Sequence, residues 1–340
     1  MAVLGFKHIP FLVAAEQQLL ERVNEYMNGK KNSMTTFKGQ ELANLLWAFA
    51  ILDHPIHDLQ SCVTPFMVQT TVGSMENLQP AAIANVYRRQ ELANIAWSCA
   101  VIGSYPPDLM KLLYCGLIGD GGDQFDASHL NECYRDGGLQ QEAVMTLIYL
   151  QLALEQEGQD NRLCLPRNFP EGWSQKSSTP GASDFELNLS TSKIQRNVGA
   201  AFHRIGFDHV QEHIITAAEL LQNQGLPLSS AYQDVISLDI ANLQSRIGIE
   251  VDGPAHYVAD IGTPPTTGGE VQVIRGHVEY RFSMNGERHQ INGPTALKKR
   301  LLEQIGWRTI NIPFWEWYDL GGDEVNEEAY CRSLLQQIGH

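Results

Sequence analysis

Two stretches in the C-terminal half constrain the fold of this 340-residue chain more than any other part of the sequence. In residues 235–257, two short apolar runs are separated by a polar turn, which predicts a β-hairpin. In residues 295–317, apolar residues first recur at helical spacing and then alternate along the chain, which predicts a helix followed by a strand. The predicted order is hairpin, helix, strand.

Three carboxylates belong to the predicted hairpin. Side chains alternate between the two faces of a strand, so Glu250 and Asp252 share one face of the second strand. We expect Asp239, on the first strand, to lie on that face too. Three carboxylates on one face of a sheet are unfavourable unless they are solvated, hydrogen-bonded or bound to a cation. They are therefore the one carboxylate group of this sequence that resembles an active site.

This order of elements resembles a RAP domain, an RNA-binding module found mainly in organellar proteins. The resemblance covers roughly residues 190 to 320 and rests on five segments in the family's order: the strand around Asp239, IEVDGPAH at 249–256, TALKKR at 295–300, GW at 306–307 and IPFWEW at 312–317. The family is similar to the restriction-endonuclease-like fold, in which an Asp…Glu-x-Lys motif holds a divalent metal. The resemblance therefore implies an α/β domain of that fold.

The motif of this chain departs from the nuclease pattern. Glu250 is followed two residues later by Asp252, where the pattern has lysine. Metal-assisted hydrolysis needs charge neutralisation at the phosphate, which this replacement opposes. We expect Asp239, Glu250 and Asp252 to be vestigial, with no catalytic residue, resident metal or cofactor. The alternative is an active endoribonuclease that binds Mg²⁺, with Lys298 supplying the missing cation.

An internal repeat occupies the N-terminal half. Residues 40–50, QELANLLWAFA, and residues 90–100, QELANIAWSCA, are identical at seven of eleven positions. Apolar residues recur at helical spacing in both copies, so each is predicted to be one helix of a stacked helical hairpin. The copies resemble octotricopeptide-like helical repeats, which often precede RAP domains.

The repeated tryptophans and asparagines have two readings. Trp47 and Trp97 are interpreted as packing residues, and Asn44 and Asn94 as polar contacts on or between helices. The alternative is that these side chains contact RNA, because repeats of the family bind RNA in some members.

The combined prediction is an α+β chain in which an α-solenoid-like helical repeat array precedes the RAP-like domain. The predicted boundaries are residues 1–158 for the helical repeat region, 159–189 for a linker rich in Pro, Ser, Gly and Asn, 190–320 for the RAP-like domain with an insertion at 258–292 that contains an extra hairpin, and 321–340 for an acidic C-terminal tail or helix.

The net charge of −15 argues against a uniformly basic nucleic-acid-binding surface. Residues 271–318 nevertheless contain seven Lys/Arg against four Asp/Glu, so this region is locally positive. Basic side chains neutralise phosphates, and exposed aromatic rings stack on unpaired bases. The predicted RNA-binding residues are Lys298, Lys299, Arg300, Trp307, Arg308 and His256.

Compartment and metal signals are few. The six cysteines have no CxxC spacing, which predicts reduced thiols and no zinc site, and His209 and His213 lack a third ligand nearby. No apolar run reaches the length of a membrane span. Residues 1–10 show neither a presequence nor a signal-peptide pattern.

Together these features predict an organellar RNA-binding protein of mitochondrial RNA metabolism, acting as an rRNA-bound component or assembly factor of the mitochondrial ribosome. The expected partners are RNA and ribosomal or other RNA-processing proteins, and the alternative compartment is the plastid. Two other functions stay open: a metal-dependent endoribonuclease acting on organellar RNA, and a protein-binding scaffold.

Overall fold

The computed structural model describes residues 6–30, 37–56, 62–118, 150, 153–154, 193–215, 236–260, 270–275, 278–283 and 289–339. It combines helices with small mixed sheets and confirms the α+β class. The predicted linker at 159–189 lies outside these ranges. Within them, no helix is both long and apolar enough to cross a membrane.

The N-terminal part of the described chain is helical. Its helices, called the helical region below, are α1 Ile9–Met27, α2 Gly39–Ile51, α3 Thr64–Thr71, α4 Pro80–Ala84, α5 Arg89–Ile102 and α6 Pro107–Ile118. The two repeated segments are α2 and α5. Both begin in the same way, because the Glu41 carboxylate accepts the Lys38 backbone N–H at 3.0 Å and the Glu91 carboxylate accepts the Arg88 backbone N–H at 2.8 Å. A glutamate at the third helical position satisfies a backbone donor that would otherwise have no intrahelical partner.

The repeated residues divide between the core and a partly exposed stripe. Leu42, Leu46 and Phe49 of α2 are buried, as are the residues at the same repeat positions in α5. The repeated Trp47 and Trp97 are only half-buried. On a helix, residues four and seven apart lie on one face. The repeated glutamine, asparagine and tryptophan positions therefore form a stripe beside the core.

Two glycines show how the repeated helices lie. A side chain at Gly39, at the start of α2, would overlap Tyr87 and Glu91 at the start of α5. A side chain at Gly293 would overlap both the Ala50 carbonyl oxygen at the end of α2 and Val101 at the end of α5. The two helices therefore run side by side in the same direction, with their C-terminal ends against residue 293.

The principal sheet has the strand order β2-β3-β4-β9. Its strands are β2 Val210–Ile215, β3 Ile236–Asn242, β4 Ile247–Asp252 and β9 Arg308–Pro313. β3 and β4 are antiparallel, with Ile240 opposite Ile249, which confirms the predicted hairpin. β4 and β9 are parallel, so the chain crosses between them through α8, Gly293–Gln304.

Different helices cover the two faces of this sheet. The apolar residues of β4 and β9 form one core with α7, Lys193–Arg204, and with α10, Glu324–Gln337. Arg204 of α7 reinforces that contact through an ion pair with Glu327 of α10 at 2.6 Å. The opposite face bears Glu250 and Asp252 and lies against α8, with which these residues line a common cavity. The alternation predicted for β4 is confirmed.

The insertion forms two smaller sheets. β6 Glu270–Arg275 and β7 Val278–Ser283 pair antiparallel, which confirms the extra hairpin predicted there. β5 Tyr257–Asp260 lies between β8 His289–Ile291 and β1 Phe6–Lys7. β1 precedes the helical region, so the insertion ties the start of the chain to its C-terminal half.

One hydrophobic core runs through both halves of the chain. It joins residues of α2, α5 and α6 to Leu238 of β3, to Trp307 and to Leu297, Leu301 and Leu302 of α8. The short helix α9, Phe314–Asp319, follows β9 and precedes α10. The predicted boundaries at 158, 189 and 320 stay predictions. The helical region and the principal sheet do not have wholly separate cores.

We expect Gly293→Ala to lower the free energy of unfolding by about 1–3 kcal/mol, because the added methyl group meets the Ala50 carbonyl oxygen in a close-packed contact. The matched control is Gly253→Ala. Gly253 has an ordinary φ of −71° and no atom within 4 Å of the position of an added Cβ. Urea unfolding of both variants measures the difference, and equal stabilities would show that α8 does not lie against α2.

Candidate nucleic-acid interface

The three predicted carboxylates are close together, and Asp239 serves the backbone of the sheet. Its Oδ2 accepts the Val251 N–H at 2.7 Å. This contact lies just past Ile240 and Ile249, the last paired residues of β3 and β4. The Asp239 side chain thus takes the place of a strand partner where β3 and β4 diverge. A buried backbone donor without a partner destabilises a fold, so this contact is structural.

Glu250 is 5% exposed and pairs with Lys298 of α8, whose Nζ lies 2.6 Å from Oε2. Burial raises the pKa of Glu250 to about 8, and the Lys298 ammonium opposes that rise. Asp239 and Asp252 raise the pKa further because they are nearby negative charges. Lys298 therefore places a cation beside Glu250, whose own sequence motif contains no lysine.

Asp252 is 1% exposed and belongs to a dense polar network. Its Oδ2 accepts from the Asn311 amide at 2.7 Å and from the Tyr257 hydroxyl at 3.3 Å, and its Oδ1 lies 3.4 Å from His256 Nδ1. Burial raises the pKa of Asp252, while His256 and Asn311 oppose the rise. Burial also raises the pKa of Tyr257, so the phenol stays protonated and donates to Asp252.

The carboxylate face does not fit a divalent metal. Glu250, Asp252 and Thr309 line a cavity of about 10 Å³, here called the carboxylate cavity, which is about the size of one water molecule. Mg²⁺ usually retains several waters and prefers octahedral oxygen ligands. The Lys298 ammonium already contacts Oε2 of Glu250, which leaves only Oε1 of that group without a hydrogen-bond partner. No cluster of three or more His, Cys, Asp or Glu within the described ranges could hold a metal ion.

The three consecutive basic residues of α8 lie in three different environments. Lys298 points to the sheet and Glu250, and Lys299 is exposed and lies 4.0 Å from Glu303. Arg300 points to the helical region. Successive residues of an α-helix are rotated by about 100°, so a run of adjacent basic residues does not form one face.

Arg300 joins the sheet to the end of α5. Its guanidinium donates to the Val101 carbonyl oxygen at 3.3 Å and also to the Ala100 carbonyl oxygen. The last carbonyls of a helix have no intrahelical donor and carry partial negative charge, which a guanidinium satisfies. These contacts make Arg300 a docking residue between the two halves, and its predicted contact with RNA stays a prediction.

The remaining predicted residues divide between the core and the surface. Trp307 is 3% exposed and packs near His213, so it lacks the exposed ring that base stacking requires. Arg308 is exposed and donates to the Ile338 carbonyl oxygen at 2.8 Å. The side chain of His256 is 40% exposed, and its Nδ1 lies 3.2 Å from the Thr295 hydroxyl.

A groove of about 330 Å³ lies between the helical region and the sheet and is here called the junction groove. One wall contains Trp97 of α5. The other contains the Pro254–His256 turn and the first turns of α8. Its lining residues are Trp97, Ala255, His256, Asn292, Pro294, Thr295, Leu297 and Lys298.

The junction groove and the carboxylate cavity share His256, Thr295 and Lys298. Of the groove residues, sequence reasoning identified His256 and Lys298 as RNA contacts and treated Trp97 as a packing residue. Trp97 does pack against the core, but it also lines the groove. The signal that pointed to it was its recurrence at the same repeat position as Trp47.

The raised pKa of Glu250 has a consequence for stability. A carboxyl whose pKa is higher in the folded state binds more protons when folded, so its contribution is full below pH 4.5 and is lost as the pH rises towards about 8. Between pH 5 and 8, we expect the free energy of unfolding to fall less steeply in Glu250→Gln than in the unaltered protein. The two slopes should differ by at most about 1.4 kcal/mol per pH unit. Urea unfolding across this range measures it, and parallel curves for the two proteins would refute the assignment.

Arg300→Gln should lower the free energy of unfolding by about 1–3 kcal/mol, because it removes a charged donor from two helix-terminal carbonyls. Hydrogen exchange should increase in the last turn of α5. Lys299→Gln is the matched control, since Lys299 is exposed, and should change stability by less than about 0.5 kcal/mol. If the two variants behave alike, Arg300 does not hold the halves together.

Comparison with known proteins identifies the region that contains these residues. Residues 249–334 match the family model for the RAP domain. The match begins in β4, includes α8 and β9, and ends in α10. It therefore contains Glu250, Asp252, His256 and Lys298.

The chain is also similar to the RAP domain-containing protein, chloroplastic, of Oryza sativa subsp. japonica. The two are 25% identical over 323 residues, covering 88% of this chain and 41% of that protein. The chain therefore spans about two fifths of the length of this curated relative. The similarity extends from the RAP region into the helical region.

Proposed function

We propose that this chain is a non-catalytic RNA-binding protein whose contact surface lies where α8 meets the helical region. The observation that carries the proposal is the match of residues 249–334 to the RAP domain, a module linked to RNA binding. The side chains of His256, Lys298 and Lys299 lie in or beside the two cavities of this unit. Exposed Arg308 is a further phosphate contact.

The carboxylates support a binding role over cleavage. Asp239 accepts a backbone N–H, Glu250 is paired with Lys298, and Asp252 accepts from Asn311 and Tyr257. Phosphodiester hydrolysis by a metal needs carboxylate oxygens directed at the cation and an oriented water. These contacts support a vestigial site, and the endoribonuclease stays the alternative.

An organellar role is part of the proposal. The rice relative is named as chloroplastic, which supports the plastid alternative. The mitochondrial location, and the role as an rRNA-bound component or assembly factor of the mitochondrial ribosome, stay predictions. Ribosomal or RNA-processing proteins stay predicted partners.

Two features of the fold belong to the proposal as well. The parallel contact of α2 and α5, which are copies of one sequence, supports an α-solenoid-like repeat array. The hairpin followed by a crossover helix and a parallel strand, with acidic residues on β3 and β4, supports the restriction-endonuclease-like fold.

We expect the full chain to bind short single-stranded RNA in a fluorescence anisotropy titration, with an affinity that falls as salt increases. Lys299→Gln should weaken binding and reduce the salt slope by about one unit, because it removes one phosphate contact. Lys111→Gln is the control, since Lys111 is an exposed lysine of α6 that lines neither the carboxylate cavity nor the junction groove. Under the same conditions with Mg²⁺ or Mn²⁺ the RNA should remain intact.

Absence of RNA binding by the unaltered protein would overturn the proposal and favour the protein-binding scaffold. Metal-dependent cleavage that is lost in Glu250→Gln, with the variant folded, would instead favour the endoribonuclease. Equal losses in the Lys299 and Lys111 variants would show that binding is diffuse.

A further inference from the structure

The junction groove combines groups from two regions that are far apart in sequence. Trp97 comes from the second repeated helix, and His256, Asn292 and Lys298 come from the RAP-like unit. Its volume of about 330 Å³ lies near the lower end of the ~300–1,000 Å³ range of ligand sites. A groove of this size accommodates a single planar group, but not a helix of ~10 Å diameter.

Hydrogen bonds fix the wall opposite Trp97. The Asn292 amide donates to the Ala255 carbonyl oxygen at 2.7 Å, and the Asn292 carboxamide oxygen accepts the Thr295 N–H at 3.0 Å. These contacts hold the Pro254–His256 turn against the start of α8. On the far side, Arg300 and Gly293 hold α8 against α5 and α2. The two walls are therefore preorganised, which reduces the entropy lost on binding.

The polar groups of the groove are suited to a phosphate. Lys298 is 27% exposed and places a positive charge between the groove and Glu250. His256 turns Nδ1 towards Thr295 and Asp252, which leaves Nε2 at the other edge of a ring that is partly exposed. The groove also lies beside the N-terminal turn of α8, where the helix dipole favours negative charge.

We propose that the junction groove binds one unpaired nucleotide of single-stranded RNA, with its base stacked on Trp97 and its phosphate at Lys298 and His256. This inference rests on the RNA binding proposed above and assigns it a subsite. An aromatic ring accepts the face of any base, whereas a base inside a duplex has no free face. The groove therefore selects unpaired RNA by stacking and needs no particular base sequence.

Charge favours RNA over an acidic or neutral protein segment as the occupant. The chain has a net charge of −15, so its acidic regions repel phosphate and the basic groups of the groove direct where an RNA strand lies. The groove presents one aromatic ring beside basic groups, which matches the alternation of base and phosphate along a nucleotide chain.

The test compares tryptophan variants of the full chain in binding to labelled single-stranded RNA. Trp97→Leu keeps an apolar side chain but removes the aromatic face, and it should weaken binding about tenfold or more. Trp97→Phe keeps an aromatic ring and should retain affinity to within about threefold. Trp47→Leu is the matched control, because Trp47 occupies the same repeat position in α2 and does not line the junction groove.

The outcomes separate this subsite from RNA binding in general. The subsite is supported if Trp97→Leu loses affinity for single-stranded RNA while Trp97→Phe and Trp47→Leu retain it. A duplex of the same composition should also bind more weakly. Unchanged affinity in folded Trp97→Leu overturns the subsite while RNA binding stands. Equal losses in both leucine variants also overturn it, since they indicate a general effect on the helices. If the unaltered protein binds no RNA, the proposed function fails as well.

Discussion

The contact between the Arg300 guanidinium and the last carbonyls of α5 holds α8 against the helical region, beside the hydrophobic core that both halves share. Helix-terminal carbonyls need donors, and Arg300 reaches them from a helix that lies 200 residues further along the chain. Gly293, one end of the same helix, permits close approach to the end of α2. α8 contacts both copies of the repeat and also connects β4 to β9. Its position therefore sets the position of the principal sheet.

The same helix holds the carboxylate face together. Lys298 neutralises Glu250 where the sheet would otherwise bury a cluster of like charges. One short basic run thus serves two structural purposes, with Lys299 left at the surface. The carboxylate face therefore resembles a metal site but supports the junction groove beside it. Removing Lys298 would leave the buried Glu250 carboxyl without its cation, which links the integrity of the groove to this contact.

Much of the RAP-like unit was predictable from local pattern. The β3–β4 hairpin, the alternation along β4, α8 and β9 all follow from periodicity, and an extra hairpin was predicted within the insertion that contains β6 and β7. The roles of Arg300 and Trp307 were not predictable in this way. Both depend on tertiary contacts with distant residues, and adjacent residues on a helix point in different directions.

Trp315 and Trp317 show the same limit, because they lie buried in the short helix α9, whereas the alternating pattern up to residue 317 predicted a strand. Residues two apart share a face on a strand, but on a helix they point in nearly opposite directions. The two rings are therefore buried by different partners, Trp315 by Tyr257 and Trp317 by Tyr330. The junction groove could not be predicted for a related reason: the wall that contains Trp97 comes from the repeat, and local pattern does not show which repeat faces the sheet.

The most direct test of a composite groove is photo-crosslinking of the full chain to single-stranded RNA containing 4-thiouridine, followed by identification of the crosslinked peptides by mass spectrometry. The account predicts crosslinks in two separate segments, residues 89–102, which contain Trp97, and residues 253–300, which contain His256 and Lys298. Crosslinks confined to one segment, or located elsewhere in the helical region, would contradict a site shared between the two halves.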